Sequence, residues 1–156
     1  MFPADDIDFG CKIFGQNRII QIRQKNQQGA PPDFEELFTF IATKILRRAL
    51  LIFLTNLDDP VLAESFTSKI DIISRKHLIL VNMLKPSGAE PLFSNPSVNS
   101  TDDIYQRLGG HLLWRHLRET GKFLQRHGIG FYLLQNENLC IDLVSQYMSV
   151  KRRQIL

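Results

Sequence analysis

The apolar run Leu50–Leu54 constrains the fold of this chain more than any other stretch. It is too short for a helix and holds no polar residue, so it fits a strand buried on both faces of a parallel sheet. Asp59 and Pro60 follow closely, and these residues suit the cap and the first turn of a helix. The stretch therefore predicts a strand, a loop and a helix, with any ligand site in the loop Thr55–Asp59 at the carboxyl end of the strand.

The rest of the chain predicts an α/β fold in which helices alternate with apolar strands. Two short strands at the front, separated by a hairpin-length connection, suit an antiparallel edge. Right-handed crossovers between the later strands give a mostly parallel sheet with helices on both faces. The predicted strands are Phe9–Phe14, Arg18–Gln24, Leu50–Leu54, Leu78–Leu84 and Ile129–Leu134, and the predicted helices are 33–47, 60–76, 100–127 and 136–152.

The third predicted helix, 100–127, has an apolar pattern and a pair of glycines, and each leads to its own prediction. Ile104, Leu108, Leu112 and Leu124 are predicted to lie near one apolar stripe. Gly109-Gly110 interrupts the helical pattern at a cost of about 1 kcal/mol per interior glycine. A bend there, or two helices end to end, remains open.

Composition limits the class of protein. The chain has 156 residues, of which 44% are hydrophobic and 22% charged, and this fits one globular domain. Its net charge of +3 does not by itself argue for nucleic acid. Cys11 and Cys140 lie in apolar segments and are predicted to be free buried thiols in a reducing, cytoplasmic setting. No apolar run approaches the length of a membrane span.

Asp58 and Asp59 form the most informative acidic pair. Two carboxylates at a strand's carboxyl end are suited to a hard divalent cation. The structural alternative, in which Asp59 caps a helix and Asp58 is a solvated loop residue, is favoured because a cap alone explains one of them. Histidines His111 and His116 are interpreted as residues of a partly exposed helix, and His77 and His127 as cations at helix ends.

Two separated segments together resemble a known family. Arg47–Pro60 (RRALLIFLTNLDDP) and Leu143–Arg153 (LVSQYMSVKRR) resemble the von Willebrand factor A-like (vWA-like) proteins grouped as domain of unknown function 58. The resemblance runs from about Asp6 to Leu156. It implies a doubly wound sheet with a metal-ion-dependent adhesion site at the carboxyl ends of the strands, and a single, partial vWA-like domain over residues 1–156.

The sequence departs from the family pattern where the metal would bind. The Asp-x-Ser-x-Ser motif of the family's first strand is missing, and Gly29–Pro32 offers no hydroxyl where the site's threonine is expected. Asn56 stands where the family carries an aspartate. Thr55, Asn56 and Asp58 remain at the corresponding place, so the resemblance implies a degenerate site with no cofactor, and Mg²⁺ only if that remnant still binds it.

The leading hypothesis is a non-catalytic protein-interaction module whose contact surface is Thr55, Asn56, Asp58 and Asp59. The resemblance implies a protein partner, a MoxR-type AAA+ ATPase, and relatives that are membrane-anchored. A missing central strand would leave sheet edges that pair with each other or with a second copy, so a homodimer by strand exchange is a further expectation. The alternatives are an α/β enzyme that uses Asp58 or Asp59 with a metal or phosphate substrate, and, ranked last because its basic residues are scattered, a nucleic-acid binder that uses Arg18, Arg23, Arg47, Arg48 and Lys151–Arg153.

Overall fold

A computed structural model describes residues 7–15, 18–24, 33–92, 94 and 100–153, and for the first two ranges it describes the backbone alone. One five-stranded sheet has the order β2-β1-β3-β4-β5. The strands are β1 (Ile7–Gly15), β2 (Arg18–Gln24), β3 (Leu50–Leu54), β4 (Leu78–Leu84) and β5 (Gly130–Leu134). The helices are α1 (Phe34–Lys44), α2 (Pro60–Lys69), α3 (Asp71–Ser74), α4 (Thr101–Arg126) and α5 (Leu139–Arg152), and a 3₁₀ turn at Asn136–Asn138 precedes α5.

The α/β class is confirmed by the parallel strands β3, β4 and β5. Leu50 is in register with Leu78, and Leu80 with Gly130. On the other side of β3, β1 pairs antiparallel with β3 and with β2. The edge of β3 is therefore paired within the chain, and the described pairing does not need the strand exchange that the sequence suggested. The described order β3-β4-β5 runs one way, without the reversal found in a doubly wound sheet.

Helices cover both faces of the parallel strands because successive side chains of a strand point to opposite faces. On one face, β3 and β4 pack against α1–α4 in a large core that includes Phe38, Phe53 and Phe66. On the other face, Leu50, Ile52 and Leu80 pack against α5 through residues such as Leu143 and Val150. Helix α5 thus runs antiparallel to the strands, with its beginning at their carboxyl ends.

The predicted cap of α2 at Asp59 is confirmed and Asp33 caps α1, while several helix ends differ from the predictions. Asp33 accepts hydrogen bonds from the N–H groups of Glu35 and Glu36, and Asp59 accepts one from Val61 at 2.8 Å. Helix α1 ends at Lys44, three residues before the predicted end at Arg47, because Ile45 leaves the helical region with φ −102° and ψ 88°. The single helix predicted over 60–76 is two helices, α2 and α3, and the helix predicted from 136 begins as the 3₁₀ turn.

Helix α4 is continuous, so the predicted bend or division at Gly109-Gly110 is wrong. A Cβ on Gly110 would collide with the carbonyl oxygen of Gly88, whereas a Cβ on Gly109 would meet nothing within 4 Å. The loop after β4 lies against the helix at Gly110. The close approach of the two backbones therefore explains why position 110 is a glycine.

The stripe predicted along α4 is also wrong. Leu124 is fully buried, whereas Ile104 and Leu112 are 48% and 56% exposed. At about 100° per residue, Leu112 and Leu124 lie roughly a third of a turn apart around the helix. Only the second half of α4, from Leu117 onwards, supplies residues classed as buried.

Three predictions of burial or charge need correction. Strand β5 is not buried throughout, since Tyr132 and Leu133 are 42% and 39% exposed on this outermost strand. The Cys140 thiol is free but exposed, and the side chain of Cys11 lies outside the described residues. His77 is buried rather than a cation at a helix end, and burial, with the nearby charge of Lys76 as a second cause, lowers its pKa below 6.5. Among the described residues, no helix is long and apolar enough to cross a bilayer.

Candidate functional site at the carboxyl ends of the strands

An open cleft of about 580 Å³ lies where β3 and β4 end and α5 begins. We call it the strand-end cleft. Its floor and walls are formed by strand ends and by the loops that follow them, as expected for a ligand site in an open α/β sheet. The lining residues are Leu54, Thr55, Asn56, Asp58, Asn82, Met83, Leu84, Lys85, Pro86, Ser87 and Leu139.

Leu57 fixes the loop that carries the predicted site residues. Its side chain is fully buried, and its N–H donates to Sδ of Met83 at 3.4 Å. Its carbonyl oxygen lies 3.3 Å from Nε2 of His116 on α4, which donates a hydrogen bond when that nitrogen carries the proton. Because Leu57 is held inward, its neighbour Asn56 is left exposed at the rim and Asp58 half-buried in the wall.

The two carboxylates that the sequence singled out have different positions. Asp59 caps α2 through the N–H of Val61 and does not line the strand-end cleft. Asp58 lines the cleft and is the carboxylate of that lining. In the part of the chain that the structure describes, no group of three or more His, Cys, Asp or Glu residues is arranged to hold a metal ion.

Unsatisfied polar atoms lie beneath the cleft. Asn82 is 1% exposed, and its Oδ1 accepts a hydrogen bond from Nε2 of Gln146 on α5 at 2.8 Å. Asn82 Nδ2, Gln146 Oε1 and Thr55 Oγ1 are buried and have no hydrogen-bond partner. Each buried polar group that is left unpaired costs about 1–3 kcal/mol of stability.

The backbone brings two of these residues together. The N–H of Thr55 donates to the carbonyl oxygen of Asn82 at 3.1 Å, which extends the ladder between β3 and β4 by one step. Thr55 and Asn82 both line the cleft, and their unpartnered side-chain atoms lie buried directly behind its surface. Exchanging the carboxamide oxygen and nitrogen in both Asn82 and Gln146 would preserve the hydrogen bond between them. It would again leave one donor group and one acceptor group without a partner.

The cleft continues along the edge of the sheet towards β5. A smaller cavity of about 290 Å³ is lined by residues of the loop after β4 and of the 3₁₀ turn, among them Lys85, Glu90 and Glu137. Lys85 Nζ lies 3.8 Å from Oε1 of Glu90, and both groups are substantially exposed. The N–H of Lys85 donates to the carbonyl oxygen of Leu134, so this loop is tied to β5.

The structure places Thr55, Asn56 and Asp58 at the carboxyl end of β3, where the sequence predicted them, and it adds Asn82 and Gln146, which the sequence analysis did not single out. A signal was present for Asn82, since an amide interrupts the apolar strand LILVNML at a position that the structure buries. Gln146 had no such signal, because polar residues are common on a helix of mixed exposure. Only the packing of α5 on the sheet brings Gln146 within reach of Asn82.

The polar lining of the strand-end cleft consists of hydroxyl, carboxamide, carboxylate and ammonium side chains, from Thr55, Ser87, Asn56, Asn82, Asp58 and Lys85. Apolar residues such as Leu54 and Leu84 lie beside them. Comparisons with family models, with curated proteins and with solved structures found no match to this chain.

Proposed function

We propose that this chain is a non-catalytic, vWA-like protein-interaction module that binds its partner at the strand-end cleft. The observation that carries the proposal is the set of buried, unpartnered polar atoms on Thr55, Asn82 and Gln146 beneath an open cleft. A partner's amide, hydroxyl or carboxylate group would supply the missing hydrogen bonds once side-chain rotation brings these buried atoms to the cleft surface. Binding gains most where an unsatisfied group becomes satisfied, because the cost of desolvating it is already present in the free protein.

The donor set favours a partner over a resident metal. Hard divalent cations take several oxygen ligands, and carboxylates are the strongest of them. Asp58 is the cleft's carboxylate, Asp59 is engaged as a cap, and Asn56 offers a neutral oxygen. We therefore propose a degenerate adhesion site that recognises its partner without Mg²⁺.

The resemblance of the segments 47–60 and 143–153 to the domain-of-unknown-function-58 proteins supports a more specific proposal. Residues 1–156 would form one vWA-like domain, and a MoxR-type AAA+ ATPase would be its partner. In the doubly wound arrangement of that family, a central strand would lie beside β3 in the place that β1 occupies here. The ATPase would contact the Thr55–Asp58 side of the cleft.

Site-specific cross-linking tests the interaction surface. A photoreactive amino acid at Asn56, on the rim of the cleft, is expected to capture the purified ATPase in one discrete adduct. The same reagent at Glu64, an exposed residue of α2 outside the cleft lining, is the matched control and is expected to give none. Thr55→Val is expected to remove the adduct at Asn56 because it deletes the unpartnered hydroxyl while it preserves the shape of the side chain.

Two results would contradict the proposal. Equal capture at Asn56 and Glu64 would mean that the cleft is not the contact surface. Calorimetric titration of the purified protein and of an Asp58→Ala variant with Mg²⁺ and Mn²⁺ tests whether the site binds a metal ion. Binding heat that is lost in the Asp58→Ala variant would show that the site binds a metal, and it would contradict the proposal that the site is degenerate.

A further inference from the structure

The basic residues that look scattered in the sequence converge on the amino ends of the parallel strands. Strands β3, β4 and β5 lie side by side and point the same way, so the residues just before each strand share one edge of the sheet. Helix α5 runs back along the strands and ends at that edge. The cations brought together are Arg47, Arg48, Arg75, Lys76, Arg126 and Lys151–Arg153, and we call this surface the basic end.

Direct contacts support this placement. The carbonyl oxygen of Ala49 accepts a hydrogen bond from the N–H of Leu78 at 2.9 Å, and the N–H of Ala49 donates to Nδ1 of His77 at 3.3 Å. The segments that carry Arg47–Arg48 and Arg75–Lys76 are therefore adjacent. Val150 packs against the cluster that contains Leu50, which brings the last turn of α5 to the same edge.

The cations of the basic end are exposed, and few acidic side chains of the described residues lie near them in sequence. All of its arginines and lysines are classed as exposed. Among the described residues, Asp71 is the acidic side chain within four sequence positions of any of them. The opposite end of the sheet carries Asp58, Asp59, Glu90 and Glu137, together with the single lysine Lys85 among the residues that line its cavities. Within the part of the chain whose side chains are described, cations are therefore concentrated at this end of the sheet, which the net charge of +3 does not reveal.

Exposed apolar side chains accompany the cations in all four segments. Leu46 is 77% exposed and directly precedes Arg47. Ile72, Phe123 and Met148 are 45%, 39% and 44% exposed, and each lies about one helical turn before cations of the basic end. Three of these four residues are not aromatic, so they offer no stacking surface for bases.

From this pairing of cations with exposed apolar side chains, we propose that the basic end docks on an anionic lipid bilayer. Arginine and lysine side chains contact the phosphate and carboxylate groups of the headgroups, and Leu46 and Ile72 enter the interface beside them. A nucleic-acid surface would need the same cations but would gain nothing from an aliphatic residue as exposed as Leu46. The proposal does not depend on the partner proposed for the strand-end cleft, and docking in this way leaves that cleft facing away from the membrane.

Vesicle sedimentation of the purified full chain tests the proposal. The protein is expected to sediment with phosphatidylcholine vesicles that contain about one third phosphatidylserine, and not with pure phosphatidylcholine, because binding at this surface needs negative lipid charge. Added salt is expected to weaken the binding through screening. Arg48→Gln and Lys76→Gln are each expected to lower the partition coefficient roughly fivefold, the contribution of one cation near an anionic surface.

Matched variants separate the membrane from other polyanions. Leu46→Ser is expected to weaken vesicle binding severalfold without any change of charge. Val61→Ser, which alters a residue 75% exposed near the opposite end of the sheet, and Arg118→Glu, in the middle of α4, are expected to leave it unchanged. Thermal unfolding of each variant checks that it is folded.

Three outcomes would overturn the proposal. The first is no sedimentation with the anionic vesicles, and the second is equal sedimentation with neutral ones. The third is a Leu46→Ser variant that binds vesicles normally while the unaltered chain binds duplex DNA more tightly than it binds vesicles. That last result would reassign the basic end to nucleic acid.

Discussion

Gln146 of α5 donates a hydrogen bond of 2.8 Å to the side-chain oxygen of Asn82, which is almost fully buried in β4. This bond joins the outer helix to the middle of the parallel strands at the edge of the strand-end cleft. It satisfies only part of each amide, since Asn82 Nδ2 and Gln146 Oε1 are left without partners. The pair is therefore a place where stability and recognition are expected to conflict.

A double-mutant cycle tests this conflict. Asn82→Leu alone is expected to destabilise the protein by about 1–3 kcal/mol, because it leaves the Gln146 amide buried without its partner. The double variant Asn82→Leu/Gln146→Leu is expected to recover most of that loss, since two apolar groups replace both partners. Urea unfolding measures the four free energies of unfolding.

The same variants connect stability to binding. The double variant is expected to lose the cross-link from Asn56 to the partner even though it is stable. Retention of the cross-link would show that the carboxamides do not take part in recognition. A double variant as unstable as the single one would show that packing, rather than hydrogen bonding, governs this pair.

The glycine pair of α4 provides a prediction with an internal control. Gly109→Ala is expected to raise the free energy of unfolding by up to about 1 kcal/mol, because it adds a strong helix former where a Cβ meets nothing. Gly110→Ala gains the same helix propensity but is expected to destabilise the protein, because its Cβ would collide with the Gly88 carbonyl oxygen. Thermal unfolding of both variants checks the signs. Equal effects would mean that the loop after β4 does not lie against the helix.

The neighbouring aspartates are expected to separate stability from binding. Asp59→Ala removes the cap of α2 and is expected to cost about 1 kcal/mol, the usual effect of losing such a cap. Asp58→Ala is expected to change the free energy of unfolding little and to weaken the interaction at the cleft. Chemical denaturation and the Asn56 cross-link, measured on both variants, provide the comparison. Loss of stability in Asp58→Ala with none in Asp59→Ala would reverse these roles.

The parallel core could be predicted from the sequence because its signals are local. The apolar run Leu50–Leu54, the cap Asp59 and the helix starter Pro60 each act within a few residues, and each was found as expected. The glycine pair of α4 led to the wrong prediction of a bend, because Gly110 is required by a contact with a residue that is distant in the sequence. A contact with Gly88 cannot be read from the composition of the helix.

The strand-end cleft and the basic end also combine residues that local sequence signals reveal with residues that only the packing brings together. Thr55, Asn56 and Asp58 follow a recognisable strand, so their place at its carboxyl end could be inferred. Gln146 and the basic end depend on how α5 packs and on which strands are neighbours. Arg48, Lys76 and Arg126 are far apart along the chain but precede strands that lie side by side, so their proximity could not be inferred from the order of the sequence.

His77 predicts how stability depends on pH. Its Nδ1 accepts a hydrogen bond from the Ala49 N–H, so the folded protein holds the ring neutral, and burial lowers its pKa below the ordinary 6.5. Below pH 6.5 the unfolded chain protonates this histidine before the folded one does. The unfolded state then binds more protons, so the free energy of unfolding falls as the pH drops from 6.5 to the lowered pKa.

A variant isolates this contribution from those of other titrating groups. His77→Asn keeps a side-chain oxygen able to accept from Ala49 but cannot be protonated, so its stability is expected to fall less steeply below pH 6.5. Lys76→Gln removes a nearby positive charge that helps to lower the pKa of His77, so it is expected to narrow the pH interval over which stability is lost. Urea unfolding at a series of pH values measures both slopes. An unchanged slope in His77→Asn would mean that His77 is protonated equally in the folded and unfolded states, in conflict with its buried position.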